Sequence, residues 1–414
     1  MSAEVVRLIL SFAVAFAFSL VATPLVIRIA PIIGAIDVPL DNRRMHVKPI
    51  PRVGGLAIFF GCLVSILCFS QMTKSMIATL VGAAILVVLG IFDDSRGLSA
   101  KVKFVFQILA AFIVVVFGNI RIGIFTNPNI FSDKAFLILS SWLAIPITIL
   151  WIVLMINSVN FIDGLDGLAA GVSSIASVSM VFICLKLGKT DIALVAFAVM
   201  GACFGFLPFN FNPAKIFMGD TGSMFLGYIL GVMSVQGAFK SYAVISFAVP
   251  ILIVGLPLFD AGFAILRRMA HGQNPMVADR GHLHHRLIDM GFSQKQSVFI
   301  LYAVSGVLGI TAVTLAESGA LRALLLLICM LIFVFAGGYL ATQHNAKILS
   351  EEQGACNCKD AIIKANHLED TTATVATCES DEVVDENSDN VSIEEDVKIY
   401  KGKKKTEEEP DEEN

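Results

Sequence analysis

Residues 75–94 read Ser75-Met-Ile-Ala-Thr-Leu-Val-Gly-Ala-Ala-Ile-Leu-Val-Val-Leu-Gly-Ile-Phe-Asp93-Asp94. Eighteen uncharged residues end abruptly on two adjacent aspartates. A helix needs about 20 mostly apolar residues to cross roughly 30 Å of hydrocarbon, so the stretch predicts a membrane span with carboxylates at its edge. The pattern recurs, with spans expected near 5–30, 54–70, 75–92, 103–118, 137–157, 168–186, 191–209, 222–240, 243–265, 297–316 and 320–341. The fold class is an all-α polytopic membrane protein of about eleven transmembrane helices. A β-barrel would show short alternating strands instead. Composition agrees: 56% of residues are hydrophobic and 15% charged, against roughly 25% charged in soluble chains, and mean hydropathy is +0.78.

Charge divides the chain. Residues 1–342 carry 22 Lys/Arg and 14 Asp/Glu, whereas residues 343–414 carry 8 and 20. The first part is a basic membrane domain. The second, with runs such as Glu407–Glu409 and few apolar residues, is expected to be a disordered acidic tail. Cys62, Cys68, Cys184, Cys203 and Cys329 fall inside apolar segments and read as small hydrophobes, not a disulfide framework. The first apolar segment shows no small-residue cleavage site and is read as a retained helix. Gly201/Gly205 and Gly227/Gly231 have the spacing that lets membrane helices approach closely.

Eleven spans put the termini on opposite sides. The loops at 35–53, 93–103, 157–167, 208–221 and 266–296, with Arg28, hold 14 Lys/Arg against 8 in the alternate set. The positive-inside rule then places the N-terminus outside and the tail in the cytoplasm. Ten of the first domain's 14 acidic residues lie on that inner side, and all ten are Asp. Carboxylates beside a membrane are costly, so such a concentration marks a functional face.

Five inner motifs carry the chemistry. The loop Lys48-Pro-Ile-Pro-Arg52-Val-Gly-Gly55 follows Arg43 and Arg44, a basic cluster suited to anionic lipid or phosphate, with topogenic charge the plainer alternative. Asp93-Asp94 is followed by Lys101, Lys103 and Gln107; the two carboxylates point about 100° apart on a helix and can take different roles. Asn157, Asn160, Asp163 and Asp166 recur at spacing three, with Gly164 and Gly167 offering the break that would bring them together around a nucleobase, ribose or metal. Asp220, in Met218-Gly-Asp-Thr-Gly222, is either a helix N-cap or a hard oxygen ligand for Mg²⁺. His282-Leu-His284-His285-Arg286 combines imidazoles with arginine; Zn²⁺ is the rival, but no cysteine lies near, and the arginines favour an anion. Gly188-Lys-Thr190 ends like a P-loop but lacks its first glycine. Several aspartates beside cations and glycines at a membrane surface suit metal-assisted phosphoryl transfer. A transporter is the rival from another class, although its ionisable residues would lie near the midplane.

These motifs, in this order over roughly residues 30–300, resemble the polyprenyl-phosphate N-acetylhexosamine-1-phosphate transferases. Leu283 interrupts the histidine triplet typical of the branch that uses UDP-MurNAc-pentapeptide, so the chain looks closer to the branch that uses UDP-N-acetylglucosamine. The resemblance implies a cell-membrane, multi-pass phosphotransferase with its site on the cytoplasmic face and a catalytic domain over 1–342. It implies Mg²⁺ (or Mn²⁺) as cofactor and, as partners, UDP-N-acetylglucosamine, undecaprenyl phosphate and membrane lipid, with no nucleic acid and a homodimer left open. The product would start a teichoic acid or O-antigen-type polymer; another UDP-N-acetylhexosamine or UDP-MurNAc-pentapeptide remains the alternative donor. Carried onto this chain, Asp93 and Asp94 are catalytic candidates along with His282, His284 and His285. Asp220, with Asp94 second, is the metal candidate. Lys48, Arg52, Asn157, Asn160, Asp163, Asp166 and Arg286 are the substrate-binding candidates.

Overall fold

The computed structural model describes residues 3–38, 49–126, 136–237, 248–270 and 283–318, with single helical positions at 322, 324 and 328. All of them belong to the first of two compact units, Met1–Glu352. Apart from those three positions, the expected span at 320–341 lies outside the described residues, as does the acidic tail at 343–414.

The apolar runs are helical because backbone N–H and C=O groups have no water to bond in hydrocarbon and must be satisfied within the segment. In chain order the helices are α1 (Ala3–Ile29), α2 (Gly55–Phe69), α3 (Lys74–Arg96), α4 (Ala100–Val116), α5 (Ser141–Ile162), α6 (Leu168–Lys186), α7 (Thr190–Asn210), α8 (Gly219–Gly237), α9 (Ala248–Ile253), α10 (Gly255–Ala270), α11 (Leu283–Asp289) and α12 (Gln294–Ser318). Two antiparallel ribbons interrupt them: β1 (Ile36–Asp37) with β2 (Ile50–Pro51), and β3 (Ile124–Thr126) with β4 (Phe136–Ile138). Among the described residues, α1, α3, α5, α6, α7 and α12 are long and apolar enough to cross a membrane, and α2 is a shorter apolar helix. Their outward faces carry Val21, Leu25, Leu67 and Leu150, each more than half exposed, as lipid contact requires. The protein is a polytopic helical membrane protein.

Two departures from expectation matter. The ninth expected span is not one helix but α9 and α10, divided at Val254. Pro257 has no N–H for the Ile253 carbonyl, so an unbroken ladder cannot run through this point. The other concerns α8, where every residue except Gln236 is buried. It is the axis of the molecule, not a lipid-facing span.

Small residues bring the neighbours of α7 and α8 close. A Cβ on Gly201 would lie 2.3 Å from the Phe12 carbonyl oxygen of α1, and one on Gly227 would lie 2.6 Å from the Ile156 Cα of α5. Both glycine pairs thus serve helix packing, as their spacing implies. The Trp151 indole N–H donates to Ser234 Oγ at 2.9 Å and ties α5 to α8 within the bundle.

The two ends of the bundle differ. At one end Arg7 bonds Asp191 and the Phe69 carbonyl, and the Lys189 ammonium donates to the Gln236 and Gly237 carbonyls at the end of α8. The opposite end gathers the C-termini of α3, α5 and α7 with the N-termini of α4, α6 and α8. The described residues of the five polar motifs are on this second end.

Candidate active site

The site is built around the first turn of α8. The chain returning from β2 pairs with the segment before α8: Phe217 N–H donates to the Pro51 carbonyl, Gly54 N–H to Phe217, and Gly55 N–H to Met218. Gly219 follows with φ +70°, and a Cβ there would lie 2.1 Å from the Arg52 carbonyl oxygen. Only glycine turns the chain into α8 at this close approach.

The N-terminus of α8 has orphan N–H groups, and Asp94 takes them. Its Oδ1 accepts from Asp220 N–H at 2.9 Å, and its Oδ2 accepts from Thr221 N–H at 3.0 Å and Thr221 Oγ1 at 2.7 Å. Arg52 Nε lies 3.3 Å from the same carboxylate, whose side chain is fully buried. Asp94 is therefore the cap of α8, supplied from the end of α3. Both its oxygens accept bonds from the entrance of α8, so capping that helix is the role its geometry shows. Asp220 is not the N-cap; its backbone is capped and its carboxylate points away.

That carboxylate meets three donors. Lys103 Nζ lies 2.8 Å from Asp220 Oδ2, Asn160 Nδ2 donates to Oδ1 at 3.1 Å, and Arg52 Nη2 lies 3.5 Å from Oδ1. Lys103 also bonds Asp93 Oδ2 at 3.0 Å, while Asp93 Oδ1 accepts from Leu98 N–H at 2.7 Å. One ammonium thus bridges Asp93 and Asp220, the seat a cation takes between two carboxylates. Burial works against the Arg52 charge, yet Asp94 and Asp220 outweigh it and raise the guanidinium pKa further. Asn160 also donates to Ser223 Oγ at 2.8 Å, which fixes its amide against α8.

The turn after α5 forms the adjoining wall. Burial, reinforced by the negative charge of Asp220, pushes the Asp163 carboxyl up to about 8 against the pull of Arg52. Asp163 therefore shares the electrostatic field of the Asp220 cluster. Its neighbours act as braces: Asp166 Oδ2 accepts from Asn212 Nδ2 at 3.0 Å and Ala214 N–H at 3.1 Å, and Tyr302 Oη donates to the Gly167 carbonyl at 2.5 Å. Asn157 pairs with Gln107, donating at 2.8 Å to its Oε1. Asn160 thus bonds the cluster and Asp163 feels its charge, while Asn157 and Asp166 hold the turn's ends.

His284 is buried against Gly164, where a Cβ would lie 2.4 Å from its Nε2. His285 lies beside it with ring centroids 4.3 Å apart and planes tilted by 42°, and the exposed Arg286 guanidinium covers the Phe263 ring at 5.1 Å. Lys48 and His282 lie outside the described residues. Lys103, Thr221 and Ser223, which stand in the sequence motifs but were given no role there, also belong to the site. Lys103 did carry a signal, because it follows Asp93 by ten residues at the start of the next helix.

Among the described residues no three His, Cys, Asp or Glu side chains form a ready metal cage. Mg²⁺ does not require one, since it is usually held by one or two carboxylates plus substrate phosphates and water. Asp220 and Asp93, already sharing a cation, fit that donor set. The ionisable groups also lie at helix ends instead of mid-bundle, which suits a surface enzyme better than a transporter.

The sequence is 42% identical over 332 residues, 80% of this chain and 91% of the relative, to a probable undecaprenyl-phosphate N-acetylglucosaminyl 1-phosphate transferase of Bacillus subtilis. The chain belongs to the polyprenyl-phosphate N-acetylhexosamine-1-phosphate transferases. Residues 76–238 match the family model described as glycosyl transferase family 4. A decaprenyl-phosphate N-acetylglucosaminephosphotransferase of Mycolicibacterium smegmatis is 34% identical over 67% of this chain and 75% of its own length. An undecaprenyl-phosphate alpha-N-acetylglucosaminyl 1-phosphate transferase of Salmonella typhimurium is 27% identical over 78% and 88%. For this transferase the matched family region spans Asp93, Lys103, Asn160, Asp163 and Asp220.

Proposed function

We propose that this transferase moves N-acetylglucosamine-1-phosphate from UDP-N-acetylglucosamine to undecaprenyl phosphate, releasing UMP. The observation that carries the reading is the Asp93–Lys103–Asp220 bridge on the Asp94-capped N-terminus of α8. It provides carboxylates for a metal and cations for phosphates in one place, and the activities for which the relatives are named suggest the acceptor and the sugar.

An oxygen of the lipid phosphate attacks the β-phosphorus of the donor. A new P–O bond forms, the bond to the bridging oxygen breaks, and that oxygen leaves with its electron pair on UMP. The sugar C1–O bond is untouched, so the anomeric configuration is retained. Asp220, with Asp93 beside it, would hold Mg²⁺ or Mn²⁺, which when bound would neutralise charge on the diphosphate. Lys103 and Arg52 orient phosphate oxygens, and Lys48 is a further substrate-binding residue. A phosphomonoester is already largely ionised at pH 7, so Asp93 positions the acceptor more than it deprotonates it. Asn160 and Asp163 line the nucleotide side, with Asn157 and Asp166 fixing their turn. His282, His284, His285 and Arg286 contact the diphosphate or sugar. Asp94 is a positioning group in this scheme.

We place this end of the bundle in the cytoplasm on the strength of the inner-loop charge bias, with eleven spans, the N-terminus outside and the tail inside. The product then starts a teichoic acid or O-antigen-type polymer. The deciding experiment incubates purified protein with undecaprenyl phosphate, Mg²⁺ and a panel of UDP-sugars, and measures UMP. Release with UDP-N-acetylglucosamine above all others is expected. Preference for UDP-MurNAc-pentapeptide would overturn the donor assignment, and dependence on no lipid phosphate would overturn the reaction.

A further inference from the structure

The α9–α10 break leaves one buried carboxylate that the scheme above does not use. Asp260, in the second turn of α10, is 2% exposed. A buried aspartate is costly unless its oxygens are satisfied. Here Oδ1 accepts from the Leu283 N–H at 2.8 Å, and Leu283 is the first residue of α11. Asp260 thus caps, from a different helix, the short helix that carries His284, His285 and Arg286.

The same face of α10 touches α11 again. Phe263, three residues after Asp260 and so on the same side of the helix, lies under the Arg286 guanidinium. Asp260, Leu283 and His284 line one small cavity together with Ile162 and Leu168 from the two sides of the Asp163–Gly167 turn. His284, the residue after the capped N–H, sits on Gly164 of that turn. A continuous path therefore runs from Asp260 through the start of α11 to the wall containing Asp163.

We infer that Asp260 is a positioning residue for donor binding: by capping α11 it seats the His284–Arg286 group against the Asp163–Gly164 turn. The inference rests on the proposed UDP-sugar donor. An exposed or lipid-facing carboxylate could not do this.

Initial rates of UMP release would be measured while UDP-N-acetylglucosamine and undecaprenyl phosphate are varied separately. Asp260→Ala should raise the donor KM about tenfold, the scale expected when a helix cap is lost, and leave the acceptor KM unchanged. Asp260→Asn keeps an acceptor oxygen in place and should stay within about threefold of wild type. In a His284→Ala background, Asp260→Ala should add little, because both changes act through one contact. If the alanine variant does not accumulate in membranes, Asp260→Gln, which shifts the oxygen by one methylene, gives the same readout. An unchanged donor KM in Asp260→Ala or Asp260→Gln would overturn the inference, as would effects of Asp260 and His284 that multiply independently. A wild-type protein with no activity on the donor would instead overturn the proposed function.

Discussion

Lys103→Met should make the protein bind Mg²⁺ more tightly while transferring sugar-phosphate more slowly. The Lys103 ammonium lies 3.0 Å from Asp93 Oδ2 and 2.8 Å from Asp220 Oδ2, on the two carboxylates best suited to hold the metal. At an effective dielectric of about 20, a unit pair at such a distance attracts by roughly 5 kcal/mol before desolvation is counted. Net contributions of charge-assisted hydrogen bonds are about 1.5–3 kcal/mol each. The Lys103 side chain is 26% exposed, which argues for the lower figure. A divalent ion entering between the carboxylates must push this ammonium aside or remain next to it, and either costs free energy. Recovery of only about 1.4 kcal/mol on removing the lysine would tighten Mg²⁺ binding tenfold. Methionine preserves much of the stem and removes the charge. The assay is calorimetric titration of Mg²⁺ into detergent-solubilised protein without substrate, beside UMP release at saturating Mg²⁺. Turnover should fall because the ammonium also orients phosphate. Mg²⁺ affinity equal to or weaker than wild type would refute the idea that Lys103 holds the metal's seat.

Asp220→Asn removes a charged ligand but keeps the shape, so raising Mg²⁺ should restore part of the lost rate. Asp93→Asn should lower the maximal rate while raising the Mg²⁺ midpoint less than Asp220→Asn does, and identical titrations for the two variants would contradict this division of labour. Gly219→Ala places a Cβ 2.1 Å from the Arg52 carbonyl oxygen and 2.5 Å from Asp94 Oδ2 at φ +70°, and should cut transfer at least about tenfold as the cap on α8 is displaced; wild-type rates would show that the turn can relax. Asp163 is raised to about 8 when folded from about 3.9 when unfolded. The stability linked to it is complete below about pH 4 and lost as pH rises through 8, so the thermal midpoint of chelated protein should fall across that range and Asp163→Asn should flatten the slope. Truncation after residue 345 should leave UMP release intact, since the residues removed are acidic and poor in apolar side chains.

Much of this site was legible because its chemistry is expensive. Charged groups beside a membrane stand out against apolar runs, so Asp93, Asp163 and Asp220 could be singled out by position alone. Their partners were harder to read. Choosing Lys103 over Lys101 requires the phase of α4, which turns Lys103 towards Asp220 and leaves Lys101 exposed. The regular spacing of Asn157, Asn160, Asp163 and Asp166 suggested four groups brought together by the break at Gly164 and Gly167. Two of them are occupied by Gln107 and by Asn212 with Ala214, partners 46 or more residues away in sequence. The helical bundle followed from hydropathy, whereas the burial of α8 did not, because an apolar run looks the same against lipid and against protein. The break at Val254 was signalled by Gly255 and Pro257, but a proline within an apolar run marks a boundary only when neighbouring helices accommodate the kink.

The burial of α8 explains why the chemistry sits where it does. A helix enclosed by protein along its length can leave its N-terminus unsatisfied only if another element supplies acceptors, and Asp94 does so from α3. Lys189 attends to the carbonyls at the other end. With its own backbone capped, Asp220 does not have to serve the helix, and its carboxylate is free to face Lys103, Asn160 and Arg52. The adjacent aspartates of α3 divide similarly: Asp94 turns into the protein and Asp93 towards the shared ammonium. A single Asp at position 93 or 94 could not fill both roles, because residues about 100° apart on a helix face different partners. Exchanging the charge of either one therefore tests a different thing, the fold of the α8 entrance at Asp94 and the reaction at Asp93. Asp94→Asn keeps one acceptor oxygen but turns the other into an NH₂ that cannot accept from Thr221. It should lower the thermal midpoint and the transfer rate together, whereas Asp93→Asn should lower the rate alone.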